Sequence, residues 1–314
     1  MSFVGRGAAI GLGVESTYGT AVSRTNWLSL LPGSYISKSM ARRQRETLYA
    51  AGRVQEGFFL ESETVRGSLL FEATYENFGL LLKHAFGAVA TTGGGPYAHT
   101  NTLADVGSLS LTGELVRGNA TNSEIYEGLQ VSRMALSGRY GRIVQLKVDV
   151  VGQTSQTPAS AGTPSLGSGQ SPIHATQAGQ VGFNSNNFDA VDFELVLNNN
   201  LVYPRRVMGS DQSKQAKGRF AEATLRLTRE YDSETQYNEF VSGTQGDLTW
   251  TFTGSGNNSA VLTLQNAYAF GESPRRLAND GPLTQQITYR ADNDGTDLGL
   301  KLVVNNDNST ATAN

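Results

Sequence analysis

The sequence predicts an all-β protein, and three observations carry that prediction. Gly is frequent, at 36 of 314 residues, and charged residues make up 17% of the chain, against about 25% in an average globular protein. Several segments alternate apolar and polar residues with a period of two, which is the pattern of a strand with one buried face. Clusters of Gly, Ser, Thr and Asn separate these segments, as turns do in many-stranded proteins.

The first half of the chain predicts strands and one short helix. Val65, Leu69 and Phe71 alternate with polar neighbours, and residues 142–152 show the same period. Residues 77–87 have helical spacing and end in Gly87, a residue that frequently ends helices. Further strands are expected at 27–37, 108–117 and 124–137.

The second half repeats this order of elements. A strand at 191–203 is followed by a polar loop, a strand at 223–228 and a short helix at 234–241 that Gly243 ends. Further strands are expected at 248–253, 260–270 and 283–290. The repeated order indicates a tandem duplication, and a single meandering β domain with accidentally recurring turns is the alternative.

Residues 154–187 divide the chain almost evenly. They carry little charge and no apolar period, and Gly, Ser, Thr, Gln and Pro dominate. That composition is typical of a flexible linker or long loop. We therefore expect a first domain at 1–153, a linker at 154–187, and a second domain at 188–314 with a short polar C-terminal tail.

Motifs for catalysis, cofactors or metals do not appear. The chain has no Cys, which excludes a disulfide framework, a thiol nucleophile and a thiolate metal site. His84, His99 and His174 are not at metal-ligand spacing. The glycines at 5–13 miss the dinucleotide fingerprint because Ile10 stands in the place of its third glycine. We expect no enzyme activity and no cofactor.

Charge and hydropathy exclude two classes of partner. The formal net charge is −3, so no overall basic bias indicates tight binding of nucleic acid. The longest nearly apolar stretch, 79–90, contains Lys83 and His84 and is too short to span a bilayer. The N-terminus lacks a basic region followed by an apolar run, so we expect neither a secretion signal nor a membrane partner.

Two long loops occupy matching positions in the two halves. Residues 41–66 combine several arginines with apolar side chains, and residues 204–219 are mainly basic. Loops of this length are either mobile or ordered by contacts, and the apolar residues of the first favour contacts. The candidate inter-ring or inter-subunit residues are Arg42, Arg43, Arg45, Leu48, Tyr49, Arg53, Phe58, Phe59, Arg205, Arg206, Lys214 and Lys217.

Three segments resemble the tail tube, or major tail, proteins of long-tailed, siphovirus-type bacteriophages. They are GRGAAIGLGVESTYGTAVSRTNWLSL at 5–30, KHAFG at 83–87 and YEGLQVSRMALSGRYGRIVQLKVDVVGQ at 126–153. The stretch from Glu15 to Ala21 is the most specific piece. The likeness is best over residues 5–155, and the second half supports it by element order alone.

The resemblance implies β-sandwich or barrel-like domains, each with one flanking helix. Rings of six such domains stack into a tube, through which DNA leaves the capsid without specific binding. The loop at 41–62 is implied to reach an adjacent ring. The implied partners are the protein itself and the tape-measure, tail tip and tail terminator proteins, in a virion assembled in the host cytoplasm. Because the chain is twice the single-domain length, three chains per ring are expected, with six as the alternative.

Acidic residues on the polar side of strand patterns are candidates for the lumen surface, namely Glu72, Glu114 and Asp149. Two other functions remain open. The tube protein of a contractile tail or type VI-like system would use the same rings. A β-sandwich adhesin or carbohydrate-binding module would share the β content but needs exposed aromatic residues in its loops.

Overall fold

The computed structural model describes residues 7–45, 57–118, 123–157, 161–167, 170–184, 186–231, 233–271, 275–276, 283–293 and 299–311. Most of these residues lie in antiparallel strands, and the described part contains two short α-helices. The all-β prediction is confirmed. No helix in the described ranges is both long and apolar enough to cross a membrane.

The elements of the first half form one unit. In chain order they are β1 Ala9–Val14, β2 Asn26–Ser29, β3 Tyr35–Gln44, β4 Phe58–Glu72, α1 Gly79–Phe86, β5 Gly87–Thr92, β6 Tyr97–Leu103, β7 Leu111–Val116, β8 Ser123–Arg139, β9 Gln145–Gly152 and β10 Thr154–Gln156. The strand expected at 27–37 is therefore two strands, because a turn at 31–34 interrupts it.

The second unit follows. Its elements are β11 Ala178–Phe183, β12 Asn186–Phe188, β13 Asp192–Asn198, β14 Glu222–Glu230, α2 Thr235–Ser242, β15 Gln245–Thr253, β16 Ser259–Phe270, β17 Arg275–Arg276, β18 Thr284–Arg290 and β19 Leu300–Asn306.

The two units have the same strand pairings. The first contains β1–β2, β1–β7, β3–β4, β4–β9, β7–β8, β8–β9 and β8–β10. The second contains β11–β12, β11–β15, β13–β14, β14–β18, β15–β16, β16–β18 and β16–β19. The agreement is one of connectivity, so it does not depend on sequence identity between the units.

Each unit is a sandwich of two sheets that share one long strand. The first part of β8 pairs with β7 and β10 in one sheet, and its second part pairs with β9 in the other. Strand β16 does the same in the second unit. We call β2–β1–β7–β8–β10 and its counterpart the cover sheets.

The remaining strands of both units join into one sheet, which we call the long sheet. Arg133–Arg139 of β8 pair with Asp192–Asn198 of β13 without a register shift. The order is therefore β3–β4–β9–β8–β13–β14–β18–β16, with β17 continuing beside β18. We call the β8–β13 contact the seam.

A hairpin supports the seam from the other side of the molecule. Strands β5 and β6 follow α1, and β6 pairs with β19 of the second unit. In the second unit α2 is followed directly by β15, so the hairpin has no counterpart there. The first unit thus pairs with both sheets of the second, through β8 with the long sheet and through β6 with the cover sheet.

One apolar core runs through both units. The buried sides of β4 and β14 contribute Val65, Leu69, Leu225 and Leu227, all at most 1% exposed. Full burial of such a side chain contributes about 1.5–3 kcal/mol. Helix α1 adds its apolar face and ends at Gly87, whose φ of 100° is costly for residues with a Cβ.

The expected flexible linker is an ordered connection over its described residues. Strand β10 pairs with β8, Trp27 bridges to Leu166, and Ile173 is buried beside Ala73 and Val144. Strand β11 lies within 178–183, so the second unit begins about ten residues before the predicted boundary at 188. Backbone hydrogen bonds order this segment, and they leave no side-chain period in the sequence.

Candidate subunit interface and lumen surface

Strands β3 and β4 continue as a hairpin beyond the end of β9. Their pairing runs from Tyr35↔Ser68 to Gln44↔Phe58, whereas β9 stops opposite Val65. We call residues 38–45 with 57–64 the first arm. Arg42, Arg43 and Arg45 are exposed on it, and Leu48, Tyr49 and Arg53 lie outside the described residues.

The first arm carries exposed aromatic surface. The side chains of Phe58 and Phe59 are 66% and 50% exposed, and the Arg42 guanidinium lies 5.7 Å from the ring centroid of Phe58. At the arm's base Lys38 forms an ion pair of 2.7 Å with Glu63. Exposed aromatic and cationic side chains on a projecting hairpin are typical of a contact surface.

The second arm is the loop at 199–221, which joins β13 to β14. Backbone bridges link Val202 to Lys217 and Arg205 to Lys214. Arg205 is partly buried, and its Nη1 donates to the carbonyl of Gln215 at 2.6 Å. Arg206, Lys214 and Lys217 are exposed.

The second arm lies across the first unit. Tyr203 Oη accepts from Val65 N at 2.8 Å and lies 2.8 Å from the Gly152 carbonyl oxygen. Ala216 N donates to Gln130 Oε1 at 2.7 Å. The second arm therefore covers the first unit where β9 ends, beside the middle of β4 and of β8.

Asn199 anchors the start of this arm. It is buried, and its Nδ2 donates to the carbonyls of Ala85 and Val131 at 3.0 Å each. These bonds connect the end of α1, β8 and the residue after β13. The arm thus leaves the seam at a fixed point.

The candidate lumen residues divide into two groups. Glu72 is exposed at the end of β4, beside a groove of about 560 Å³ that Arg139 and Arg142 also line. Asp149 is partly exposed and forms an ion pair of 3.6 Å with Arg133. Both lie on the polar face of the long sheet.

Glu114 requires a correction. It lies on β7 of a cover sheet and is fully buried. Its carboxylate forms an ion pair with Arg24 and accepts from Gly162 N at 2.7 Å. The strand pattern placed it on a polar face, but here that face is covered by residues 161–167, so Glu114 presents no surface charge in this chain.

Outside the first arm, the described side chains on the polar face of the eight strands from β3 to β16 carry both signs of charge in equal numbers. An ion pair crosses the seam, with Arg133 lying 3.9 Å from Glu194. Within the second unit, Arg226 lies 2.8 Å from the same Glu194. The cationic residues of this face are Arg66, Arg133, Arg139, Lys147, Arg226 and Arg290, and the acidic ones are Glu72, Asp149, Asp192, Glu194, Glu222 and Glu230. These side chains together therefore exert no strong electrostatic attraction on phosphate groups.

The stretch 15–21 has a structural role that motif searches did not reveal. The buried carboxylate of Glu15 accepts from Gly19 N, Ser110 Oγ, Thr112 Oγ1 and Gly128 N at 2.8–2.9 Å. It therefore fixes the loop after β1 to β7 and β8. The sequence signal was an acidic residue followed by Ser, Thr and Gly, but three of its four partners are 95 or more residues away.

A family model described as Phage tail tube protein matches residues 5–291. This chain belongs to that family, which confirms the resemblance. It is a structural tail tube protein, a component of a phage virion that assembles with itself into a tube. No curated protein matches the chain significantly. In the described ranges, no three side chains of His, Asp or Glu form a group that could hold a metal.

Proposed function

We propose that this protein forms stacked rings whose long sheets line a conduit for genomic DNA during ejection. The seam carries the proposal. It joins two four-stranded sheets of the same connectivity edge to edge inside one chain. A ring needs that same joint repeated between chains.

The long sheet has two edges that another chain could extend. In the described residues, β3 pairs with β4 alone, and Ala269, Phe270 and β17 pair with β18 alone. Unpaired edge strands favour addition of another strand. By the pattern of the seam, β3 of one chain would lie beside the β16–β17 edge of the next.

The strand count fits a ring of three chains. Eight strands from each of three chains give 24, and a spacing of ~4.8 Å gives a circumference of about 115 Å. The backbone diameter is then roughly 37 Å, and strand tilt widens it. A lining of that size holds a DNA duplex after side chains are counted. Six chains with the second unit outside the tube is the alternative.

The charges of the long sheet suit a conduit. Glu72 and Asp149 would face the lumen together with the paired charges around Arg133 and Glu194. A strongly basic wall would bind phosphates and hold the DNA. We propose that the duplex passes without specific binding.

The setting we propose is the tail of a siphovirus, assembled in the host cytoplasm. The ends of the tube would contact tail tip and terminator proteins, and its lumen would hold a tape-measure protein before ejection. The tube of a contractile tail would use the same ring, and a sheath around the tube would distinguish it.

Electron microscopy of the purified full-length chain tests the proposal. We expect tubes in negative stain, and a reconstruction with three chains around the axis and pseudo-sixfold symmetry. Protein that remains monomeric at high concentration would contradict the tube lining. Six identical chains around the axis would contradict the side-by-side placement of the two units.

A further inference from the structure

A groove of about 1000 Å³ opens in the second unit. It lies where β14 begins and β18 ends, next to Tyr268 of β16. Glu222, Tyr268 and the segment 290–293 line one side. Residues 103–106 and Phe220 line the other, and the Phe220 side chain is 96% exposed. The groove combines aromatic surface with three acidic side chains, Asp105, Glu222 and Asp292, and two arginines, Arg219 and Arg290. Glu222 forms an ion pair of 3.3 Å with Arg290.

The matching place in the first unit is filled. Because the strand pairings repeat, the end of β9, with Val65 of β4 and Gln130 of β8 beside it, corresponds to the end of β18, with the start of β14 and Tyr268 of β16 beside it. The second arm covers the first set through Tyr203 and Ala216. It does so from the neighbouring unit across the seam. The groove is the place where an arm from the next unit would lie.

We propose that the first arm of one chain docks in this groove of the neighbouring chain in the same ring. The inference rests on the ring proposed above. In such a ring β3 lies beside the β16–β17 edge, so the hairpin that continues β3 starts next to the groove. The first arm then contacts the next chain in the same way as the second arm contacts the first unit of its own chain.

The chemistry of the two surfaces matches. The arm presents Arg42, Arg43 and Arg45. In the groove Glu222 is paired with Arg290, which leaves Asp105 and Asp292 as the acidic side chains for the arm. The exposed rings of Phe58 and Phe59 meet a groove that contains Phe220 and Tyr268. Opposite charge gives the contact its orientation, and buried aromatic surface gives it affinity.

The contact replaces a support that the chain-to-chain joint lacks. Inside the chain, the hairpin β5–β6 reinforces the seam by pairing with β19. The second unit has no such hairpin to offer the next chain. This assigns the base of the first arm to closing the ring, whereas the family resemblance implies that the loop at 41–62 reaches an adjacent ring.

Cross-linking tests the assignment directly, because the natural chain contains no Cys. The variant Arg43→Cys/Asp292→Cys, assembled and treated with a short bismaleimide, should give covalent species of two and three chains and no larger ladder. The matched control Arg43→Cys/Glu72→Cys places the second thiol at the opposite end of the strands and should stay unlinked. Each single-cysteine variant should also stay unlinked.

The outcomes separate this inference from the proposed function. Tubes without a cross-link in the first variant would overturn the docking site and leave the ring intact. A cross-link in the Glu72 control, with a ladder beyond three chains, would assign the arm to the next ring. Absence of tubes from the unmodified protein would overturn the ring itself.

An exchange of charges tests the same contact if the cysteine variants fail to assemble. Arg43→Glu should reduce the fraction of protein in rings at low salt at least several-fold, and Arg43→Glu/Asp292→Arg should restore it. Loss without restoration would mean that Arg43 does not meet this groove.

Discussion

Arg133 and Glu194 lie on neighbouring strands from different halves of the chain, with their charged groups 3.9 Å apart across the seam. Each also contacts a residue of its own unit, Asp149 at 3.6 Å and Arg226 at 2.8 Å. About a third of each side chain of the central pair is exposed. Exposed ion pairs contribute about 0–1 kcal/mol to stability. We therefore infer that these pairs balance the charge of the sheet and add little to its stability.

The balance of charge on the long sheet predicts how the tube treats DNA. Assembled wild-type tubes should bind duplex DNA weakly near physiological salt. Tubes of Glu72→Lys/Asp149→Lys should bind it several-fold more tightly, with an affinity that falls steeply as salt rises. Co-sedimentation of labelled duplex at several salt concentrations measures both effects.

The matched control is Asp247→Lys/Asp307→Lys, which adds the same charge at exposed positions outside the long sheet. Tight binding of DNA in the lumen is expected only where the lining is basic. If the control binds as tightly as the first variant, or if wild-type tubes already bind tightly, the long sheet does not form the lining.

The tip of the first arm predicts a separation between folding and assembly. Deletion of 44–58 leaves the pairing of Tyr35–Ala41 with Ser62–Ser68 in place, so the chain should fold and remain soluble. The variant should not form long tubes, because the aromatic and cationic contacts are lost. Circular dichroism and negative-stain images measure the two properties.

A replacement of 44–58 by Gly and Ser of equal length is the control for loop length. It should fail in the same way if the side chains make the contacts. Tubes of normal length from the deletion would show that this segment is not an assembly element.

The buried carboxylate of Glu15 predicts a loss of stability on amidation. Glu15→Gln replaces one acceptor oxygen with a donor that would face other donors. We expect the free energy of unfolding to fall by about 1–3 kcal/mol. Urea denaturation of the unassembled chain measures it. Glu61→Gln, at an exposed position, should change it little, and equal effects of the two variants would contradict the role of Glu15.

His84 predicts a loss of stability in acid. Burial lowers the pKa of His84 to about 4, from an ordinary value of 6.5. Between these values the unfolded chain binds a proton that the folded chain excludes, so stability falls as the pH drops from about 6.5 to about 4. The gap corresponds to about 3 kcal/mol.

Urea denaturation between pH 7 and 4.5 checks this with His84→Gln, which should flatten that part of the pH dependence. His174→Gln changes an exposed histidine and should keep it. An unchanged slope in His84→Gln would assign the acid sensitivity to other groups.

Strands with a polar and an apolar side were predictable from sequence, and less regular backbone was not. Val65, Leu69 and Phe71 alternate because β4 has one face in the core, and the same holds for Leu225 and Leu227 in β14. Strand β1 lacks alternation because Ala9–Gly13 are buried on both sides. Gly-rich and Ser-rich chain at 161–167 and 170–174 is ordered by bonds of its backbone, which the side chains do not reveal.

The arms were predictable as long loops at matching positions, but their surroundings were not. The basic residues of both loops identified them, and the structure places the first as a hairpin and the second across the first unit. Glu114 shows the limit of strand patterns, since a polar residue on β7 can face a buried arginine as well as solvent. Which of these occurs depends on chain from residues 161–167, far away in sequence.

The hairpin β5–β6 makes the joint between the two halves of the chain different from a joint between separate chains. In a ring of identical single domains every joint is the same, so a mutation must be tolerated at all six positions at once. Here the β8–β13 joint lies within one gene product and has its own clasp. In the ring that we propose, its residues can change together without altering the joint between chains, so the two surfaces can evolve separately and adapt to different demands.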